Sequence, residues 1–157
     1  METSVKSNHL AHLPAFADNP IVFLTVCTYG RRKLLDCDVA HELLHGLWSR
    51  SGEMNGWFVG DYLIMPDHLH LFVRAACESD KMSDWIKMWK SVSSRRLMRE
   101  LNIDSPVWQE DYFDRYLRSS DSYRDKWLYV EQNPVRAGLV SDVGDWVYRG
   151  RVYDLAF

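Results

Sequence analysis

Two histidines one residue apart stand inside an apolar run. They are His68 and His70 in "YLIMPDHLHLFV", residues 62–73. Side chains along a strand alternate between its faces, so His68 and His70 share one face while Leu69 and Leu71 take the other. Two adjacent imidazoles cannot both be buried and charged, and two neutral rings need partners. A divalent ion is one partner common to both, since each neutral ring offers it a nitrogen. The plain alternative is a pair of surface histidines on a solvated sheet face, and a motif as short as H-x-H is often met by chance. A second cluster lies in "YRDKWLYVEQNPVRAGLV", residues 123–140, where Tyr129 and Asn133 stand four apart. On a helix they are neighbours on one face. A phenol hydroxyl is a candidate nucleophile and an amide oxygen a candidate metal ligand. Their plain readings are an aromatic on an amphipathic helix and a polar helix-end residue before proline. Tyr123 and Trp127, on the same helix, are assigned to packing.

The elements that must position these groups follow from periodicity. "IVFLTVCTY" (21–29) is β-branched and aromatic and predicts a buried first strand. Asp38 is placed to cap a helix from Val39 to about Ser51, with Leu43, Leu44, Leu47 and Trp48 at helical spacing. "WFVGDYLIM" and "HLHLFVRA" read as a hairpin turning at Pro66-Asp67. Ser83 is placed to cap a second helix through about Leu101, with Trp85, Met88, Trp89, Val92 and Leu97 along one side. "SPVWQEDYFDRYLR" (105–118) predicts an extended segment, and a third helix runs from near Ser120 to Asn133, where Pro134 ends it. The order β-α-β-β-α-β-α predicts a ferredoxin-like α+β sandwich, one antiparallel sheet with helices packed on one face. Residues 1–19 read as a polar, partly disordered tail and 20–157 as a single domain. The aromatic end "DWVYRGRVYDLAF" is expected to pack back on it.

Composition narrows the function classes. With 46% hydrophobic and 26% charged residues, the 157-residue chain reads as a soluble globular domain. A formal charge of −3 argues against coating nucleic acid by bulk electrostatics but leaves room for a local basic surface. Cys27, Cys37 and Cys77 form no CxxC and cannot all pair, which points to a reducing compartment. The N-terminus shows no basic stretch followed by an apolar run, and no segment reaches the ~18 apolar residues of a membrane span. A cytoplasmic protein is expected.

Together, "MPDHLHLFV", "WQEDYFDRYLR" and "YVEQNPVRAGLV" resemble the HUH-type single-tyrosine transposases of insertion sequences, in the branch associated with repetitive extragenic palindromes. The likeness runs from about Ile21 to Val140. It implies that His68 and His70 hold a catalytic Mg²⁺ or Mn²⁺, that Tyr129 is the nucleophile, and that Asn133 stands where relatives place an amide as third ligand. Relatives often have Gln there, and Gln132 lies one position earlier. The implied activity nicks and rejoins single-stranded DNA near palindromic or hairpin sequences through a 5′-phosphotyrosine. The implied partners are single-stranded or hairpin DNA and no membrane, with the protein a monomer or a homodimer able to exchange its tyrosine helix. DNA contact is expected from Lys87, Lys90, Arg95 and Arg96 on the second helix and from Arg115 and Arg118 in "DYFDRYLR". Trp85, Trp89 or Trp108 could stack unpaired bases, or could be core. The acidic balance departs from the family, whose members are often basic. Two rivals stand beside this reading: a non-catalytic hairpin-binding relative, and a metal-dependent nuclease that uses water.

Overall fold

A computed structural model describes Phe16 and residues 18–156. Most of the expected N-terminal tail therefore lies outside the described residues. At its end, Phe16 packs edge-on against Phe58, and the Asn19 amide donates to the carbonyls of Ala75 and Ala76.

Five antiparallel strands are ordered β4-β1-β3-β2-β5, with β1 Ile21–Cys27, β2 Trp57–Ile64, β3 His68–Ala75, β4 Phe113–Leu117 and β5 Arg149–Arg151. The long helices α1 (Asp38–Asn55) and α2 (Met82–Leu101) pack on one face of this sheet, as expected. Their apolar stripes meet the odd-numbered side chains of β3 and the even-numbered ones of β1, in one core with Leu44, Trp48, Trp85, Ile86, Trp89, Leu69, Leu71, Val22 and Leu24. The opposite face carries Phe23, Leu63 and Phe72, and is covered by helix α3 (Ser120–Val130) and the C-terminal segment. β2 serves both layers by alternation, and its register shift between Val59 and Tyr62 puts those two residues on the same face. A Cβ on Gly60 in that bulge would stand 2.6 Å from the Leu155 side chain, so the close approach of the C-terminal segment requires glycine.

Local expectations changed at the helix ends. Asp38 is the first residue of α1 rather than its cap, and neither Cys37 nor Lys81, the residues preceding α1 and α2, caps with a side chain. α1 continues past Ser51 to Asn55 and stops at Gly56, whose φ of 76° is left-handed. α3 does carry a capping box, formed by Ser119 and Ser122. It ends at Val130 rather than Asn133, and Asn133 opens a separate short helix α4 (Asn133–Arg136) with Pro134 in its first turn. Proline is suited to that position because it needs no amide partner there. Pro134 therefore starts a helix instead of ending one.

α3 is fastened to the sheet by a polar clasp. Tyr123 donates its hydroxyl to Asp61 Oδ2 at 2.6 Å, and Arg151 donates to both oxygens of the same carboxylate at 3.2 Å. The rings of Tyr123 and Trp127 lie against Phe72, which confirms them as packing residues. Among the described residues, no helix is long and apolar enough to cross a membrane.

Candidate functional site

The hairpin brings His68 and His70 onto the sheet face beneath α3, with ring centroids 4.9 Å apart. Antiparallel pairing sets Thr25 opposite His70 and Cys27 opposite His68. The Thr25 hydroxyl lies 2.9 Å from His70 Nδ1, and the Asn133 amide nitrogen lies 3.2 Å from His70 Nε2. An amide NH₂ can only donate, so Nε2 carries the lone pair and Nδ1–H donates to Thr25. His70 is 9% exposed, and burial, reinforced by the charges of His68 and Lys126, pushes its pKa down to about 3. The ring is neutral throughout the physiological range.

His68 is set the same way by a different partner. Its Nδ1 lies 2.8 Å from Asp67 Oδ1, while Asp67 Oδ2 accepts from Arg31 at 3.0 Å. Burial alone would raise the Asp67 pKa, but the hydrogen bond and charge of His68 and the Arg31 cation outweigh it and hold the carboxylate below its usual value. With Nδ1–H spent on Asp67, Nε2 is again the lone-pair nitrogen. Arg31 reaches this position from a tight turn in which Gly30 and Arg31 both have left-handed backbones, φ 64° and 54°.

Both rings thus have an acceptor behind Nδ1 and a lone pair on Nε2, the arrangement that orients imidazole ligands around a metal. Among the described residues no three His, Cys, Asp or Glu side chains are grouped to hold an ion. Asn133, not the exposed Gln132, is the amide beside His70. The two imidazole lone pairs fit a divalent ion, whereas the Asn133 amide presents its nitrogen, not its oxygen, to His70.

Tyr129 lies on α3 and is 62% exposed. The Arg136 guanidinium stacks over its ring, 4.0 Å from the centroid, and donates both to the Tyr129 carbonyl and to Asn133 Oδ1. Lys126, one turn before Tyr129, sits 4.8 Å from the Phe23 ring, which is stacked on His70. Tyr129, Arg136, Asn133 and His70 are therefore joined by consecutive contacts within one chain.

The expected DNA-binding residues divide by layer. Arg115 pairs with Phe23 across β4 and β1, so it faces the histidine side, and Phe113, 54% exposed, does the same opposite Thr25. Arg118 follows the far end of β4, beside a concavity with Asn19, Arg74 and Tyr116. Lys87, Arg95 and Arg96 are exposed on α2, across the sheet from the histidines. Lys90 donates to the carbonyls of Gln109 and Glu110, tying α2 to the loop before β4. Trp85, Trp89 and Trp108 are 0%, 0% and 6% exposed and form part of the core, so none of them is a stacking platform. Thr25, Asp67, Lys126 and Arg136 escaped sequence reasoning. Asp67 and Arg136 had local signals, adjacency to His68 and a place one turn after Asn133, whereas Thr25 depends on strand register.

Comparison with known proteins places the chain in a family. A protein of Escherichia coli strain K12, the REP-associated tyrosine transposase, is 25% identical over 130 residues, covering 80% of this chain and 73% of that protein. A relative from Haemophilus influenzae is 24% identical over 142 residues, covering 85% and 80%. A solved structure of a REP-associated tyrosine transposase bound to a REP hairpin superposes with a TM-score of 0.64 at 20% identity, covering 83% of this chain and 75% of that one. The family described as "Transposase IS200 like" matches residues 19–133. With most of its sheet, the histidine pair and Asn133 inside that match, the chain belongs to the IS200-like transposase family.

Proposed function

We propose that the protein is a metal-dependent, single-stranded DNA transesterase that cuts and rejoins strands beside hairpins, with Tyr129 as nucleophile. The observation that carries the reading is the contact chain from Tyr129 through Arg136 and Asn133 to His70, because it joins a phenol to a prepared imidazole pair. His68, His70 and Asn133 would hold Mg²⁺ or Mn²⁺. A bound ion of this kind supplies Lewis-acid polarisation of a non-bridging phosphate oxygen.

The remaining chemistry belongs to the chain. Arg115 and Lys126 draw the phosphodiester backbone onto the histidine face, and Phe113 offers a flat apolar surface to an unpaired base. Tyr129 Oη gives up its proton to solvent and bonds to phosphorus as the P–O3′ bond breaks, and the departing oxygen takes a proton from solvent to leave as a 3′-hydroxyl. The product is a 5′-phosphotyrosine, which keeps the step reversible and lets a later 3′-hydroxyl rejoin the strand. Lys126 places positive charge beside the reacting phosphate, where negative charge grows. Lys87, Arg95 and Arg96 are left for phosphates farther along the same DNA, as is Arg118. Contacts within one chain support a site assembled in cis, and the hairpin carried by the solved relative supports hairpin DNA as partner.

The test is incubation of the full chain with labelled hairpin DNA and Mn²⁺, followed by denaturing electrophoresis and mass spectrometry of the linked peptide. A nucleotide on Tyr129, lost in Tyr129→Phe and His70→Ala, is the expected result. Cleavage that survives Tyr129→Phe indicates water as nucleophile, and retention of DNA without an adduct indicates a binding protein. Either outcome overturns the transesterase.

A further inference from the structure

Within the metal site just proposed, the Asn133 amide faces the wrong way for coordination. Its nitrogen points to His70 Nε2 and its oxygen to Arg136. Hydrogen-bond chemistry dictates this orientation. Arg136 has only donors, so it must meet the oxygen, and a lone pair on Nε2 must meet the NH₂. An ion on Nε2 needs the amide oxygen, since an amide nitrogen is not a ligand. Filling the site therefore requires Asn133 to rotate, which breaks its bond to Arg136 and would set two donors against each other.

Arg136 is not free to ignore that change. Its Nη2 also donates to the Tyr129 carbonyl at 2.7 Å, and its plane covers the Tyr129 ring. We infer that Arg136 is a positioning residue, a latch that holds Asn133 turned away from the metal site and links filling of that site to the placement of Tyr129. With Asn133 rotated, the guanidinium keeps its contacts to Tyr129 and gains a free N–H on the side facing the histidines. The ion and the nucleophile are thereby set by one side chain. This inference rests on the proposed metal site and adds the order of events, in which metal binding releases the latch before Tyr129 acts.

The experiment compares Arg136→Lys with the full-length wild type, using Mn²⁺ alone as probe and electron paramagnetic resonance of the free ion as readout. Lysine retains the charge but cannot reproduce a planar cation that is stacked and hydrogen-bonded at once. Loss of a hydrogen bond from a charged donor to Asn133 predicts Mn²⁺ binding about tenfold tighter. Adduct formation at saturating Mn²⁺ is expected to slow, because Tyr129 loses its cover. A lysine variant with wild-type Mn²⁺ affinity, or with a wild-type adduct rate, overturns the latch. His70→Ala separates the two claims. If it leaves Mn²⁺ binding intact, the metal site itself is wrong. If it abolishes binding while Arg136→Lys changes nothing, only the latch fails.

Discussion

Replacing Thr25 by valine deletes one oxygen behind the histidine pair and changes little else in shape. That oxygen accepts the Nδ1–H of His70 at 2.9 Å, at a ring only 9% exposed. The variant has two ways to respond. The proton can stay on Nδ1 without an acceptor, at about 1–3 kcal/mol of folding free energy. It can instead move to Nε2, where it faces the Asn133 NH₂ and removes the lone pair a metal needs. Folding is then less affected, and the cost appears as Mn²⁺ affinity lowered by about 10–100-fold. The two losses share one origin, so together they amount to about 1–3 kcal/mol however they divide. Urea unfolding of the metal-free protein reads the first, and a Mn²⁺ titration followed by paramagnetic resonance reads the second. Thr25→Ser, which keeps the acceptor, should restore both. If Thr25→Val leaves stability and Mn²⁺ affinity at wild-type values, Thr25 does not set the tautomer of His70, and the assignment of Nε2 as the metal-facing nitrogen falls.

Two further outcomes are expected. Tyr123→Phe removes a hydrogen bond to the Asp61 carboxylate, 7% exposed, and should cost about 1.5 kcal/mol in urea unfolding with unchanged slope; a cost below about 0.5 kcal/mol would mean that ring packing alone holds α3. The metal-free protein should weaken as pH drops below 6.5, because burial above all holds the folded His70 pKa near 3 while the unfolded chain takes up the proton at its ordinary 6.5. The stability from this group is complete well above pH 6.5, has lost about 0.4 kcal/mol at pH 6.5 and about 1.4 kcal/mol at pH 5.5. His70→Gln should flatten that part of the pH profile, and an unchanged slope in this variant would assign the effect to other groups.

Much of the arrangement was legible along the chain, for identifiable reasons. His68 and His70 share a face because strand alternation is a local rule, and the tryptophans of α2 repeat at helical spacing because one stripe is buried. The same repeat could not say whether Trp85 and Trp89 lay against the sheet or against a ligand, since both demand an apolar face. Residue types alone suggested Asp38 and Ser83 as caps, but both lie inside the first turn of their helices, which begin at Asp38 and Met82. The "NPVR" run showed Asn133 near the end of a helix and hid the break at Glu131–Gln132, because proline is compatible with stopping a helix or starting one.

By itself, the amino-acid sequence determined the periodic content of the protein: which side chains share a strand face, which stripes are apolar, and that a phenol and an amide stand one turn apart. These follow from backbone geometry over a few residues. Only the tertiary structure decided that α3, and not α2, covers the histidine face, that Thr25 selects the tautomer of His70, and that Asn133 reaches His70. Those facts depend on strand order, on register and on the layer each helix joins. They are settled by burial of surface between segments far apart in the chain, which no local spacing encodes.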